Sequence, residues 1–208
     1  VILFGATGEI LTEKSGNLNL GVPGIMYLGG IAGLIGAFFY ESSVAEPNKL
    51  LCFFIALICA LAASAIGGLI FSFLTITLRA NQNVTGLTLT IFGSGFANFF
   101  GGSLNKLAGG VGQIKVASTN AAYRATLPFL TNVSVLSRMG AMVYIAIIIA
   151  VLVMWFLNKT TRGLNLRAVG ENPATADAAG ISVTKYKYLA TCIGAAISGL
   201  GGLYYVMD

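Results

Sequence analysis

Asn158-Lys-Thr-Thr-Arg-Gly-Leu-Asn-Leu-Arg-Ala-Val-Gly-Glu-Asn-Pro-Ala-Thr-Ala-Asp-Ala-Ala-Gly-Ile-Ser-Val-Thr-Lys-Tyr-Lys187 is a polar island between two uncharged runs, 139–157 and 188–207. The island holds five Lys/Arg and two acids, Glu171 and Asp177. Each flanking run reaches the roughly 20 residues that cross a bilayer core. The pattern therefore reads as a membrane helix, a segment at the membrane surface and a second membrane helix. Within the island, Asn172 is a good N-cap, because its side chain can accept from an unpaired N–H of the first turn. Pro173 then stands at the first helical position, where its missing N–H costs nothing. Ala174, Ala176, Ala178 and Ala179 favour helix, and Gly180 suits the left-handed position that ends one. The spacing predicts about two turns, roughly 10 Å long. Its surface of small side chains could seat closely in a groove and transmit force from a soluble partner. A solvated loop with an incidental helix accounts for the same residues.

Outward from the island, the rest of the chain repeats the membrane signal. Residues 15–40, 50–78 and 80–105 are also uncharged. The chain is 56% hydrophobic and 9% charged, with mean hydropathy +0.85, whereas soluble domains carry about 25% charged residues. A soluble protein is excluded on these grounds. Its 27 glycines suit close helix packing in lipid. The expected fold is all-α, a polytopic transmembrane helix bundle with about five spans and a clipped N-terminal one. The start at Val1-Ile-Leu-Phe4 and the end at Met207-Asp208 read as cuts, so the chain is expected to be one transmembrane permease-type domain, 1–208, truncated at both ends. The net charge of +5 fits membrane-flanking loops, and no aromatic-interleaved basic patch points to nucleic acid. Cys52, Cys59 and Cys192 lie in apolar runs without a CxxC and read as packing residues. The absence of His removes the usual general base and metal ligand.

In chain order, residues 9–19 read as a short polar lead-in. Residues 17–39 read as a span interrupted by Gly21, Pro23 and Gly24, with Gly29-xxx-Gly33 as a small-residue packing motif. A loop over 41–49, a span over 50–78, a tight polar turn over 79–83 and a span over 84–102 follow. Residues 103–138 read as a long connection carrying Gly109-Gly110-Val-Gly112 and a short apolar helix around 128–136. The glycine cluster lacks the lysine and hydroxyl of a phosphate loop. With the island placed in the cytoplasm, seven Lys/Arg fall inside and five outside, in line with the positive-inside rule.

Arg167-Ala-Val-Gly-Glu-Asn-Pro-Ala-Thr-Ala-Asp-Ala-Ala-Gly-Ile181 resembles the cytoplasmic coupling segment of ABC importer permeases of the branched-chain amino acid/simple-sugar superfamily. In that family this segment docks into a cleft of the ATPase subunit. The resemblance implies coupling roles for Arg167, Gly170, Glu171, Asn172, Pro173, Ala176, Ala178, Ala179, Gly180 and Ile181.

A second stretch, Glu13-Lys-Ser-Gly-Asn-Leu-Asn-Leu-Gly-Val-Pro-Gly24, puts polar Asn17 and Asn19 at a helix start. A capped, kinked helix start explains it. A broken helix lining a cavity explains it too. The stretch also resembles the family's Gly-x-x-Asn-Leu-Gly-x-x-Gly block at Gly16, Asn19, Leu20, Gly21 and Gly24. It departs from that block at Val22-Pro23, where an acidic residue is expected nearby. A third stretch, Arg79-Ala-Asn-Gln-Asn-Val-Thr-Gly-Leu-Thr-Leu89, offers donors and acceptors on Asn81, Gln82 and Thr85. Purine edges and ribose hydroxyls need that mixture, and amides capping neighbouring helix ends use it equally. Ala80-Asn-Gln-x-x-x-Gly86 resembles the nucleoside-type branch of the family. Asn98, Phe92, Phe99 and Phe100 could line a path on which a base stacks, and packing or lipid contact explains the same aromatics. The candidate substrate pathway is Asn19, Asn81, Gln82, Thr85, Phe92, Asn98 and Phe99.

The resemblance implies a permease subunit of an ABC importer for nucleosides or related simple sugars in the bacterial plasma membrane, performing no covalent chemistry. The implied partners are an ABC ATPase subunit, a second permease subunit (a paralogue or a second copy), an extracellular or periplasmic solute-binding protein and membrane lipid. No cofactor is expected on this chain; ATP and Mg are used by the ATPase. The five uncharged runs lack the intramembrane acids and bases on which proton-coupled carriers rely. A secondary transporter or channel for small polar solutes is the alternative, with the Pro23 region as a discontinuous helix. An intramembrane enzyme would need a catalytic pair or a metal cluster, and the scattered acids provide neither.

Overall fold

A computed structural model describes residues 1–44, 46–107, 114, 116–124 and 140–207. Helix α1 spans Ile2–Glu13, α2 Val22–Ser43, α3 Lys49–Ser72, α4 Gln82–Leu107 and α5 Ala117–Tyr123. They are followed by α6 Ala141–Lys159, α7 Thr161–Glu171, α8 Pro173–Ala178 and α9 Val183–Met207. The described residues contain no strand. Four of these helices are long and apolar enough to cross a membrane: α2, α3 with its continuation to Thr77, α6 and α9. The fold is the expected polytopic helical bundle. Helix α4, over the expected 80–105 span, has the length at 26 residues, but its threonines, asparagines and serines make it less apolar.

Helices α2, α3 and α9 pack on one another, with α1 against α9 and α4 against α2. The contacts are made by small residues. A side-chain carbon on Gly29 would meet Ser64 Oγ at 2.5 Å and the Gly199 carbonyl oxygen at 2.7 Å. Gly29 thus marks the junction of three helices. Gly24 and Gly93 press backbone to backbone where α2 crosses α4. Apolar side chains do not discriminate protein from lipid tails, so close backbone approach supplies the specific contact. In α9 the residues from Ile197 to Leu203 are all buried. Helix α6 instead leaves Ile147, Ile148, Val151, Leu152, Met154 and Trp155 about half exposed, as a lipid-facing helix would.

Several sequence expectations change. The interrupted span over 17–39 does not occur. Residues 14–21 form a loop, and α2 starts cleanly at Val22 with Pro23 in its first turn, where the missing donor is harmless. The polar lead-in over 9–19 is helical as far as Glu13, so Glu9 lies on a helix. Helix α2 continues through Glu41 to Ser43, and α4 runs on to Leu107, so both expected loops are shorter. Within 103–138 the structure has α5. The Glu41 carboxylate accepts from its first-turn backbone N–H groups, Thr119 N at 2.7 Å and Ser118 N at 3.4 Å. That is a helix cap supplied from a distant element. Tyr123 stacks on Phe53 with centroids 4.5 Å apart and donates its hydroxyl to the Phe53 carbonyl at 2.8 Å. Burial pushes the Tyr123 phenol pKa up. The glycine cluster 109–112 and the helix expected over 128–136 lie outside the described residues. The α3–α4 turn begins with a π-helical turn, Phe73–Thr77, and has Arg79 at φ +53°.

Candidate functional site

The island forms two helices where one was expected. Thr160 caps α7: its Oγ1 accepts from Gly163 N at 3.0 Å and donates to the Phe156 carbonyl at 2.6 Å. Leu166 and Val169 turn inward and are buried, and Asn165 donates to the Tyr186 hydroxyl of α9 at 3.2 Å. Helix α7 is therefore seated on the ends of α6 and α9. Helix α8 follows as its residues dictate. Asn172 Oδ1 accepts from Thr175 N at 3.1 Å, and Pro173 opens the helix. Gly180 takes the left-handed conformation at φ +81°. Gly180 N donates to the Asp177 carbonyl at 2.9 Å and Ile181 N to the Ala176 carbonyl at 3.0 Å. These two bonds make a Schellman ending.

The ten coupling candidates divide into three groups. Glu171, Asn172, Pro173, Ala178, Ala179 and Gly180 are exposed and present a small, low-relief surface. Ala176 is buried and Ile181 half-buried, anchoring α8 from beneath. Gly170 and Arg167 face into the chain. A side-chain carbon on Gly170 would run into the Lys14 carbonyl oxygen and lie 3.1 Å from Gly16 N. Gly170 is thus the seat by which the island rests on the loop leaving α1. Arg167 lines a cavity between α1 and α6.

The pathway candidates fall into two places. The first is the corner where the 14–21 loop meets the start of α4. Asn19 is buried, donates its backbone N–H to Glu9 Oε1 at 2.8 Å and accepts from Gly21 N through Oδ1 at 2.9 Å. Gln82 Oε1 accepts from Leu18 N at 2.8 Å. Asn81 Oδ1 caps α4, accepting from Asn83 N at 3.0 Å and Val84 N at 3.3 Å. Thr85 Oγ1 donates to the Asn81 carbonyl at 2.8 Å. These polar groups hold the corner together. The second place is a cavity of 530 Å³ between α3 and α4, lined by Thr85 and Phe92 with Phe71, Leu74, Val84 and Leu89. Its walls are mostly apolar. Asn98 and Phe99 are exposed farther along α4, away from that cavity. Phe92, Phe96 and Phe100 form a ladder along one side of α4, with centroids 5.9 and 4.4 Å apart.

Residues 1–208, the whole chain, match the family described as branched-chain amino acid transport system / permease component. The chain belongs to that family. It is 33% identical over 205 residues to a Haloferax volcanii protein provisionally named a glucose ABC transporter permease protein, covering 98% of this chain and 58% of that one. It is 32% identical over 212 residues to the guanosine ABC transporter permease protein NupQ of Bacillus subtilis, covering 98% and 63%. With the nucleoside ABC transporter permease protein NupC of Lactococcus lactis it shares 26% over 209 residues, again covering 98% and 63%. The permease chain thus spans about three fifths of the length of the curated relatives it matches. No solved structure matches it. With four helices among the described residues long and apolar enough to cross a membrane, and with this family, it is a multi-pass membrane protein.

Two contributors to the permease's geometry, Glu9 and Glu41, escaped the sequence reading, and a third, Asn17, was legible only as a polar group at a helix start. Glu9 holds Asn19, and its only signal was an acid within the apolar opening run. Asn17 is buried and donates to Thr191 Oγ1 at 3.1 Å, tying the 14–21 loop to α9. Glu41 caps α5 across a separation that no local pattern reveals.

Proposed function

We propose that this chain is the membrane-spanning part of an ABC importer permease for nucleosides or related simple sugars, acting in the bacterial plasma membrane. Residues 1–208 serve as one transmembrane domain, and 158–187 as its coupling segment. A partner ATPase binds ATP and Mg and hydrolyses ATP; this chain carries no cofactor. A solute-binding protein delivers the ligand from outside, and a second permease subunit, a paralogue or a second copy, completes the path.

The observation that carries this reading is the construction of the island. Helix α8 offers exposed small residues outward and packs on α7, which rests backbone against backbone on the 14–21 loop at Gly170. A push on α8 reaches the Lys14–Gly16 loop without passing through a flexible side chain. That loop is bonded to α9 through Asn17 and to α4 through Gln82. Movement of the island would therefore be felt by three elements. The names of the nucleoside and guanosine relatives support the substrate class, as does the Ala80-Asn-Gln signature.

The test is pull-down of the intact, membrane-extracted protein followed by an ATPase assay. A co-purifying ATPase whose turnover rises with nucleoside and binding protein is the expected result. Uptake that persists in ATP-free vesicles, with no ATPase partner, would move the protein to the channel or secondary carriers.

A further inference from the structure

Helices α1 and α6 enclose a groove of 450 Å³ whose walls include Leu3, Ile10, Ala150 and Val153. At its island end the lining changes to Lys14, Asn158 and Arg167. We propose that this groove binds one anionic phospholipid from the leaflet on the island's side. Its acyl chain lies between α1 and α6, and its phosphate sits against Lys14 and Arg167.

Two observations carry the assignment. The first is charge. Among the described residues, neither cation has a carboxylate partner. Glu13, next to Lys14 in sequence, lines a different cavity with Glu9. Two unpaired cations at the surface end of an intramembrane groove complement a phosphate monoanion. The second is the wall. Thr7, the hydroxyl-bearing residue on the α1 side, spends its donor on the Leu3 carbonyl at 2.7 Å, so the middle of the groove makes no polar demand. Free phosphate would satisfy the cations and leave the apolar walls bare. A lipid satisfies both. The proposal rests on the membrane location alone and is independent of what is transported.

The test is native mass spectrometry of the full-length permease extracted from equimolar phosphatidylglycerol and phosphatidylcholine vesicles. The wild type is expected to retain phosphatidylglycerol in preference. Lys14→Ala with Arg167→Ala should lower the ratio of bound phosphatidylglycerol to phosphatidylcholine by about fivefold for each cation removed. The charge-conserving pair Lys14→Arg and Arg167→Lys should keep that ratio. Ala150→Trp fills the groove with both cations in place and should displace the lipid. Equal retention of the two lipids by the wild type, or an unchanged ratio in the double alanine variant, would overturn the proposal. Lipid retained by Ala150→Trp would do so as well. So would a disulfide formed between two copies carrying Ala150→Cys, because a second subunit would then occupy the groove.

Discussion

Replacing Gly170 with alanine isolates the seat between the island and the membrane core. The added carbon would fall inside van der Waals contact with the Lys14 carbonyl oxygen, and Gly16 N lies 3.1 Å away. Both obstacles are backbone, so no rotamer change relieves them. Helix α7 must move by roughly 1 Å to restore ordinary contact. Overpacking of this kind costs about 1–3 kcal/mol. Alanine in place of glycine inside a helix returns about 1 kcal/mol. The seat should therefore weaken by about 1 kcal/mol, with about 2 kcal/mol as the upper value, which corresponds to a factor of about 5–30 in the unseated population. Tryptic cleavage at Arg162 and Arg167 reads that population directly, because a helical bond must open before it is cut. In vesicles of the full-length protein, Gly170→Ala should be cleaved about fivefold faster than wild type. Gly95→Ala is the control: that helical glycine has nothing within 4 Å of the added carbon, so its cleavage should be unchanged. A Gly170→Ala rate within twofold of wild type would refute the seat, as would equal acceleration in Gly95→Ala. Nucleoside-stimulated ATPase, measured on the same protein, should fall with the seat if the coupling proposal is right.

Three further outcomes follow from other contacts. Ala178→Trp lies on the exposed side of α8 and should abolish ATPase co-purification while leaving the thermal midpoint in detergent unchanged. Co-purification at the wild-type level would remove α8 as the docking element. Thr191→Val leaves the buried Asn17 amide without its acceptor and should cost about 1–3 kcal/mol, seen as a lower midpoint, whereas Thr191→Ser should keep most of the stability. Equal losses in both variants would show that the hydroxyl bond is not responsible. Asn81→Ala removes the α4 cap and should cost about 1 kcal/mol, while Asn81→Ser should retain the cap. Equal midpoints for the two variants would count against capping. A nucleoside selectivity change in the serine variant would separate a pathway role from a capping one.

The amino-acid sequence by itself determined what depends on neighbours within a few residues or on the solvent around a long segment. Uncharged runs near 20 residues place membrane helices wherever water is absent. Asn172, Pro173 and Gly180 set the beginning and end of α8, because caps are closed by donors and acceptors no more than five residues away. The family signatures were legible for the same reason, being short strings at fixed spacing. The sequence did not reveal α7, whose polar residues have no strong periodicity and whose helix is held by Leu166 and Val169 against other elements. Nor did it reveal α5, capped by Glu41 from the end of α2, or the inward direction of Arg167. Gly170 shows the division best. Its small size was visible in the string, and an outward docking surface was the natural reading. Only the tertiary structure decided that the missing side chain makes room for the backbone at Lys14, because that contact joins residues more than 150 positions apart and no local rule reaches across them.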